Sequence, residues 1–219
     1  MHRDPVTVTP DDTLAHALRI TRRHRIRHLP VVLPAGDVVG ILSDRDIRLA
    51  MPSPLTTVDG ERTDFLERTP VAAIMTREVI TAAPGDSIED AAQLLYRHRI
   101  GSLPVVDDAG ALKGILTETD ILHAFLHLLG GAESSSRLEI ALPDRPGELA
   151  RAIQIVGGDL KLNIVSVVVA ARAEQRRKRA IVHVATIDPR EAVQALEKAG
   201  FEVGWPSLEG EMRGAGKGA

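Results

Sequence analysis

Arg97-His98-Arg99-Ile100-Gly101-Ser102-Leu103-Pro104-Val105-Val106, followed by Gly114-Ile115-Leu116-Thr117-Glu118-Thr119-Asp120-Ile121, is the stretch that decides the fold. Moving back by 74 positions gives Arg23-His24-Arg25-Ile26-Arg27-His28-Leu29-Pro30-Val31-Val32 and then Gly40-Ile41-Leu42-Ser43-Asp44-Arg45-Asp46-Ile47. Residues 5 to 47 and 79 to 121 align without a gap. Thr7/Thr81, Pro10/Pro84, Asp12/Asp86, Ala17/Ala91, Gly36/Gly110, Gly40/Gly114 and Asp46/Asp120 match at the same offset. One structural unit has been built twice.

Within the first copy, Thr7-Val8 reads as a short strand, and Asp11 to Thr13 supply N-cap chemistry for a helix. Leu14, Ala17, Leu18, Thr21 and Ile26 form the inner face of that helix. Leu29-Pro30 ends the helical pattern, Val31 to Leu33 and Val38 to Leu42 are strands around a Pro34-Asp37 turn, and Ser43 opens a second helix. A connection containing Pro52, Ser53, Pro54 and Gly60 leads to Pro70, where the second copy opens. The residues matching Pro70 to Ile74 have no counterpart before Met1: either the first copy lacks this opening turn or the start codon was chosen too late. The second copy ends in a helix from Ile121 to Leu129.

Composition narrows the class. With 219 residues, 44% hydrophobic and 26% charged, the chain suits one large or two modest cores. A net charge of -3 and only five aromatic residues argue against nucleic-acid binding. No apolar run approaches the roughly 20 residues of a membrane span. Without cysteine there is no disulfide or thiolate chemistry, and with no signal-type segment the expected location is the cytoplasm.

Residues 131 to 136 have the Gly/Ser composition of a linker, and beyond them the pattern changes. Arg137 to Leu142 alternates like a strand, Pro143-Asp144-Arg145-Pro146-Gly147 is a tight turn, and a helix runs from Glu148 to about Val156. Asn163 to Ala170 and Arg179 to Ala185 are strands, Pro189 to Lys198 is a helix that stops at Gly200, and Phe201 to Trp205 is a last strand. This βαββαβ order favours an antiparallel sheet with both helices on one face. Arg172, Arg176, Arg177, Lys178 and Arg179 read as a solvated hairpin loop. Residues 209 to 219, including Gly214-Ala215-Gly216-Lys217, read as a disordered tail, since no strand precedes and no helix follows the glycines.

The repeated Ile-x-x-Leu-Pro-Val-Val (26 to 32, 100 to 106) and Gly-Ile-Leu-Ser/Thr-x-x-Asp-Ile (40 to 47, 114 to 121) resemble the CBS domain, so the tandem resembles a Bateman pair. Asp144-Arg145-Pro146-Gly147-x-Leu149 and the βαββαβ order resemble the ACT domain. The expected fold class is α+β: CBS domains at 1-60 and 70-130, the linker, a ferredoxin-like ACT domain at 137-208, and the tail. This domain order is similar to that of the bacterial acetoin-utilisation accessory proteins.

The CBS resemblance implies adenosine nucleotides or S-adenosylmethionine bound in clefts between the copies. Ser43 and Thr117 stand where a strand gives way to a helix, so hydroxyls and first-turn N-H groups face an anion. Asp46 and Asp120, three residues on, would accept both hydroxyls of a ribose. By resemblance, Val6, Thr7, Ile80 and Thr81 would hold the base. Arg27-His28 in one copy becomes Gly101-Ser102 in the other where phosphate would lie, so phosphorylated adenosines are expected to bind with unequal affinity. The competing reading of Ser43-x-x-Asp46 and Thr117-x-x-Asp120 is a capping box with Asp at its third position.

The ACT resemblance implies a small ligand, such as an amino acid, at Asp144, Arg145, Pro146 and Gly147; the alternative is that Pro146-Gly147 is only the turn the fold requires. His123 and His127 have helical metal-pair spacing but lack an evident third ligand, so a solvated or packing role is expected and no metal site. No nucleophile, base and orienting residue are grouped by motif. The expected protein is a non-catalytic regulator, a homodimer or higher homo-oligomer acting on an unidentified protein target, with the nucleotide as a regulatory ligand and no cofactor. The alternatives are a ligand-free structural adaptor and, third, an enzyme acting on a nucleotide.

Overall fold

Thr13 and Ser87 begin the two copies in the same way, each hydroxyl accepting a backbone N-H three residues on, from His16 and Asp90. The computed structural model describes residues 1-53, 59-129, 135-169, 177-206 and 212-213. These divide into two units, 1-122 and 123-219, and both copies of the repeat lie in the first.

After a short strand β1 (His2–Arg3), the first copy runs α1 (Leu14–His24), β2 (His28–Val32), β3 (Val38–Ser43), α2 (Asp44–Ala50) and α3 (Asp59–Arg68). The second follows with α4 (Ile88–His98), β4 (Ser102–Val106), β5 (Leu112–Thr117) and α5 (Glu118–Leu128). The strand expected at Thr7-Val8 is reduced to a single parallel bridge from Val8 to Val31, repeated as Ala82 to Val105. Pro30 does not stop β2. It sits inside the strand opposite Ile41, where its carbonyl accepts the N-H of Val8. Leu14, Leu29, Leu42 and Ile47 are fully buried in the first copy, and Leu103 in the second. Each contributes about 1.5–3 kcal/mol by leaving water.

Helix α3 stands where the sequence pattern predicts a connection. Its composition has no apolar stripe, and only Phe65 and Leu66 reach the first copy's core. Contact with α1, helped by an Arg19-Glu67 ion pair at 3.3 Å, holds it as a helix where local pattern does not.

The start of each copy crosses to the other copy's strands. β1 pairs antiparallel with β5, and Thr76 bridges Ile41 of β3. The glycines of the Gly-Ile-Leu motif permit both crossings. A Cβ on Gly114 would lie 2.8 Å from the His2 carbonyl oxygen, and one on Gly40 would lie 2.6 Å from Met75 Sδ.

The second unit holds β6 (Ser136–Pro143), α6 (Glu148–Ile153) continued by a π-helical turn (Gln154–Asp159), β7 (Ile164–Val169), β8 (Arg177–Val184), α7 (Arg190–Lys198), β9 (Glu202–Pro206) and β10 (Met212–Arg213). Sheet order is β10-β9-β6-β8-β7. The paired neighbours are antiparallel, and β8 lies between β6 and β7, which is the split βαβ arrangement of a ferredoxin-like unit. Leu138, Ile140, Val156, Val182 and Leu196 form its core.

Two expectations change here. Met212–Arg213, expected in the tail, pair with β9, while the rest of that tail lies outside the described residues. Lys178 and Arg179, expected in a solvated loop, stand in β8 and pair with Asp144 at 2.8 Å and Glu139 at 3.3 Å. Arg172 and Arg176 of that cluster, and most of the expected linker, lie outside the described residues. Among the described residues no helix is long and apolar enough to cross a membrane.

Candidate functional site

At the end of β3 the chain turns into α2 through Ser43, whose extended backbone (φ -107°, ψ 158°) makes it the N-cap. Asp46 Oδ2 accepts from the Ser43 backbone N-H at 3.0 Å and the Ser43 hydroxyl at 2.6 Å, and the Asp46 N-H donates to Ser43 Oγ at 3.1 Å. The same closure recurs 74 residues later. Asp120 Oδ2 accepts from Thr117 N-H at 2.8 Å and Thr117 Oγ1 at 2.7 Å, and the Asp120 N-H meets Thr117 Oγ1 at 3.3 Å. The capping box is therefore real in both copies, using one carboxylate oxygen of each.

What is left over differs. Asp46 Oδ1 has no partner among the described residues, and Asp46 lines a cleft of about 800 Å³. Asp120 Oδ1 is paired with His2 Nε2 at 3.2 Å. The cleft on that side, of about 520 Å³, is lined by Thr117 but not by Asp120.

The first cleft gathers Ser43, Asp46, Ile80, Gly101 and Ser102, together with Arg27 and His28. The second gathers Val6, Arg27, His28 and Thr117. Most of its positions are the 74-residue counterparts of the first, as in Val6/Ile80 and Thr117/Ser43, with Arg3 and His24 the exceptions. Thr7 and Thr81, expected under the base, line neither. Arg27 and His28, expected at one cleft, stand on the wall between the two and line both. The reason is packing: the His28 ring lies over Gly101, where an added Cβ would come within 3.0 Å of Cε1. Burial, then the charge of Arg27, lower the His28 pKa against the opposing pull of Asp44, Asp46 and Glu118, so the imidazole is neutral near pH 7.

The helix starts are less open to an anion than their position suggested. The Asp44 N-H donates to the Arg27 carbonyl at 2.9 Å and the Glu118 N-H to the Gly101 carbonyl at 3.2 Å, while the Asp46 and Asp120 N-H groups serve the caps. Besides Arg27, the clefts gain cations from outside the expected site residues. Arg25 and Arg99 end α1 and α4 in the left-handed conformation, at φ 54° and φ 53°, and each lines one cleft. Their signal was available: an arginine repeated where a glycine is the unstrained choice.

Ser102 adds a further handle. It is 3% exposed, lines the first cleft, and its Oγ has no hydrogen-bond partner. Burying a hydroxyl in that condition costs about 1–3 kcal/mol, which a polar ligand group would remove.

In the second unit, Asp144, Arg145, Pro146 and Gly147 form an exposed turn before α6. Gly147 adopts a φ of 90°, which favours glycine, and a Cβ there would meet no protein atom within 4 Å. His123 and His127 are exposed on α5 with their Nε2 atoms 3.1 Å apart. Among the described residues no group of three or more His, Cys, Asp or Glu could hold a metal ion.

The CBS domain family matches residues 1–53 and 71–127. An uncharacterised protein of Methanocaldococcus jannaschii is 35% identical, the match spanning 57% of this chain and 88% of that one. An inosine-5'-monophosphate dehydrogenase of Mycobacterium leprae is 36% identical over 75% of this chain but only 29% of the enzyme, so this chain spans less than a third of its length. The crystal structure of a Vibrio cholerae protein provisionally assigned to acetoin utilization is 31% identical, with a TM-score of 0.50, covering 59% of this chain and 89% of that chain.

Proposed function

The chain belongs to the CBS domain family, and from that premise we propose that it is a regulatory protein, not an enzyme, whose clefts bind an adenosine compound. The observation that carries this reading is the half-buried Asp46. Its cap consumes one oxygen and leaves Oδ1 free at a cleft of a size that suits a nucleoside. A ribose diol donating to that oxygen makes hydrogen bonds to a charged group, worth about 1.5–3 kcal/mol each. A micromolar ligand carries about 8 kcal/mol of binding free energy, enough to bias poses a few kcal/mol apart where its affinity for them differs.

The β9-β6-β8-β7 order supports reading residues 137-208 as an ACT domain, with the 144-147 turn as the place an amino acid would bind. Strand β7 is a sheet edge without charged residues that exposes Val167 and Val169, which supports homodimer formation through edge pairing. Acetoin metabolism is the setting to test first, and the regulated protein target is the partner to seek there.

A second reading, a ligand-free adaptor, draws on the completeness of both capping boxes, which need no ligand to explain Asp46 or Asp120. Thermal-shift measurements with AMP, ATP, S-adenosylmethionine and amino acids separate the two. A ligand at 100 times its Kd stabilises the folded state by about 2.7 kcal/mol. Specific stabilisation by an adenosine compound supports the regulator, and none by any compound supports the adaptor. Turnover of a nucleotide would make the protein an enzyme.

A further inference from the structure

The two clefts differ in charge. Four arginines (Arg27, Arg45, Arg48, Arg99) face four carboxylates (Asp44, Asp46, Glu78, Glu118) around the first, where Arg48 is already paired with Asp44. Around the second, three arginines (Arg3, Arg25, Arg27) face one carboxylate, Asp4. None of those three arginines has a carboxylate partner among the described residues. The counterpart of Asp46 on that side, Asp120, is held by His2, which itself lines the second cleft.

Handles for a sugar show the opposite bias. The first cleft has the open Asp46 Oδ1 and the unpartnered Ser102 hydroxyl, 97% buried by its 3% exposure. The counterpart of Ser102 on the second side is His28. In the first cleft the four carboxylates offset the four guanidinium groups and leave no net attraction for a polyphosphate, whereas the arginine excess of the second attracts one and can hold it with paired hydrogen bonds.

We infer that the clefts sort ligands by charge: the first takes a nucleoside of low net charge on Asp46 and Ser102, and the second takes a polyphosphate group on Arg3, Arg25 and Arg27. The first half rests on the function proposed above, and the second half stands apart from it. Arg25 is the residue to test, because its left-handed backbone suits glycine. Arg25→Gly removes the cation while relieving the conformation, and Arg99→Gly makes the same change beside the first cleft.

The experiment is isothermal titration of the full chain and both variants with adenosine, tripolyphosphate and ATP. Tripolyphosphate should bind the unaltered protein, weaken about tenfold in Arg25→Gly, and be unchanged in Arg99→Gly, as loss of one charge-assisted contact predicts. Adenosine should bind Arg25→Gly as it binds the unaltered protein, and should not compete with tripolyphosphate. ATP that displaces tripolyphosphate more tightly than its phosphates explain identifies a nucleotide as the occupant. Equal affinity identifies the phosphate chain alone, and either result supports an anion cleft. Absence of tripolyphosphate binding, or equal weakening in the two variants, would overturn the inference even if adenosine binds. Conversely, if tripolyphosphate binds through Arg25 and no adenosine compound binds, the proposed function fails and the anion cleft remains.

Discussion

Asp46 and Asp120 occupy the same place in the repeat, close the same cap with the same oxygen, and differ only in what meets the other one. The difference originates far from both. The segment that crosses to β5 carries His2, which reaches Asp120; the segment that crosses to β3 carries Thr76 at the matching position, and Asp46 is left free. Local sequence therefore sets the cap, while availability to a ligand is set by the chain that passes over it. A duplicated motif does not guarantee a duplicated site.

The largest expected effect follows from that contrast. Asp46→Ala should weaken adenosine binding about 10- to 100-fold by calorimetry, the loss of one or two hydrogen bonds to a charged group. Asp120→Ala should leave adenosine affinity unchanged and cost about 1 kcal/mol of stability through its cap. Equal losses of affinity would erase the distinction between the mouths. The contrast can also be broken from the other side: His2→Ala frees Asp120 Oδ1, and calorimetry should then detect a second, weaker adenosine site.

Ser102→Ala sharpens the comparison with a smaller change. Removing an unsatisfied buried hydroxyl should raise stability to urea by about 1 kcal/mol while adenosine affinity falls several-fold. A loss of stability would mean that the hydroxyl has a partner. Smallest is the effect of pH on the shared wall. Because burial lowers the His28 pKa below 6.5, the unfolded chain binds the proton more readily. Stability should be fully present above about pH 6.5 and fall as pH drops through and below that value. His183, also lowered by burial and by Arg137, adds a slope of the same sign. Urea titrations from about pH 7.5 to about pH 5 should therefore show a shallower decline in His28→Gln, with the His183 part remaining.

Much of this architecture was legible because the chain states it twice. The strand pair, both capping boxes and the βαββαβ order follow from spacing, N-cap chemistry and β-branched runs that tertiary contacts reinforce. Three features escaped, each for a physical reason. Helix α3 has no apolar stripe and depends on α1. The sharing of Arg27 and His28 depends on how the copies pack, with the imidazole set over Gly101. The His2-Asp120 pair joins residues 118 positions apart. Arg25 and Arg99 could have been found from sequence, since a cation recurring at the end of a helix, where glycine is the usual stop, stands out without any structure.

Titrating the full chain with adenosine at neutral pH tests most directly whether the open Asp46 mouth is a nucleoside site. A single adenosine per chain, abolished or strongly weakened by Asp46→Ala, is the predicted result. Two equivalent adenosines per chain, or binding indifferent to Asp46, would contradict it.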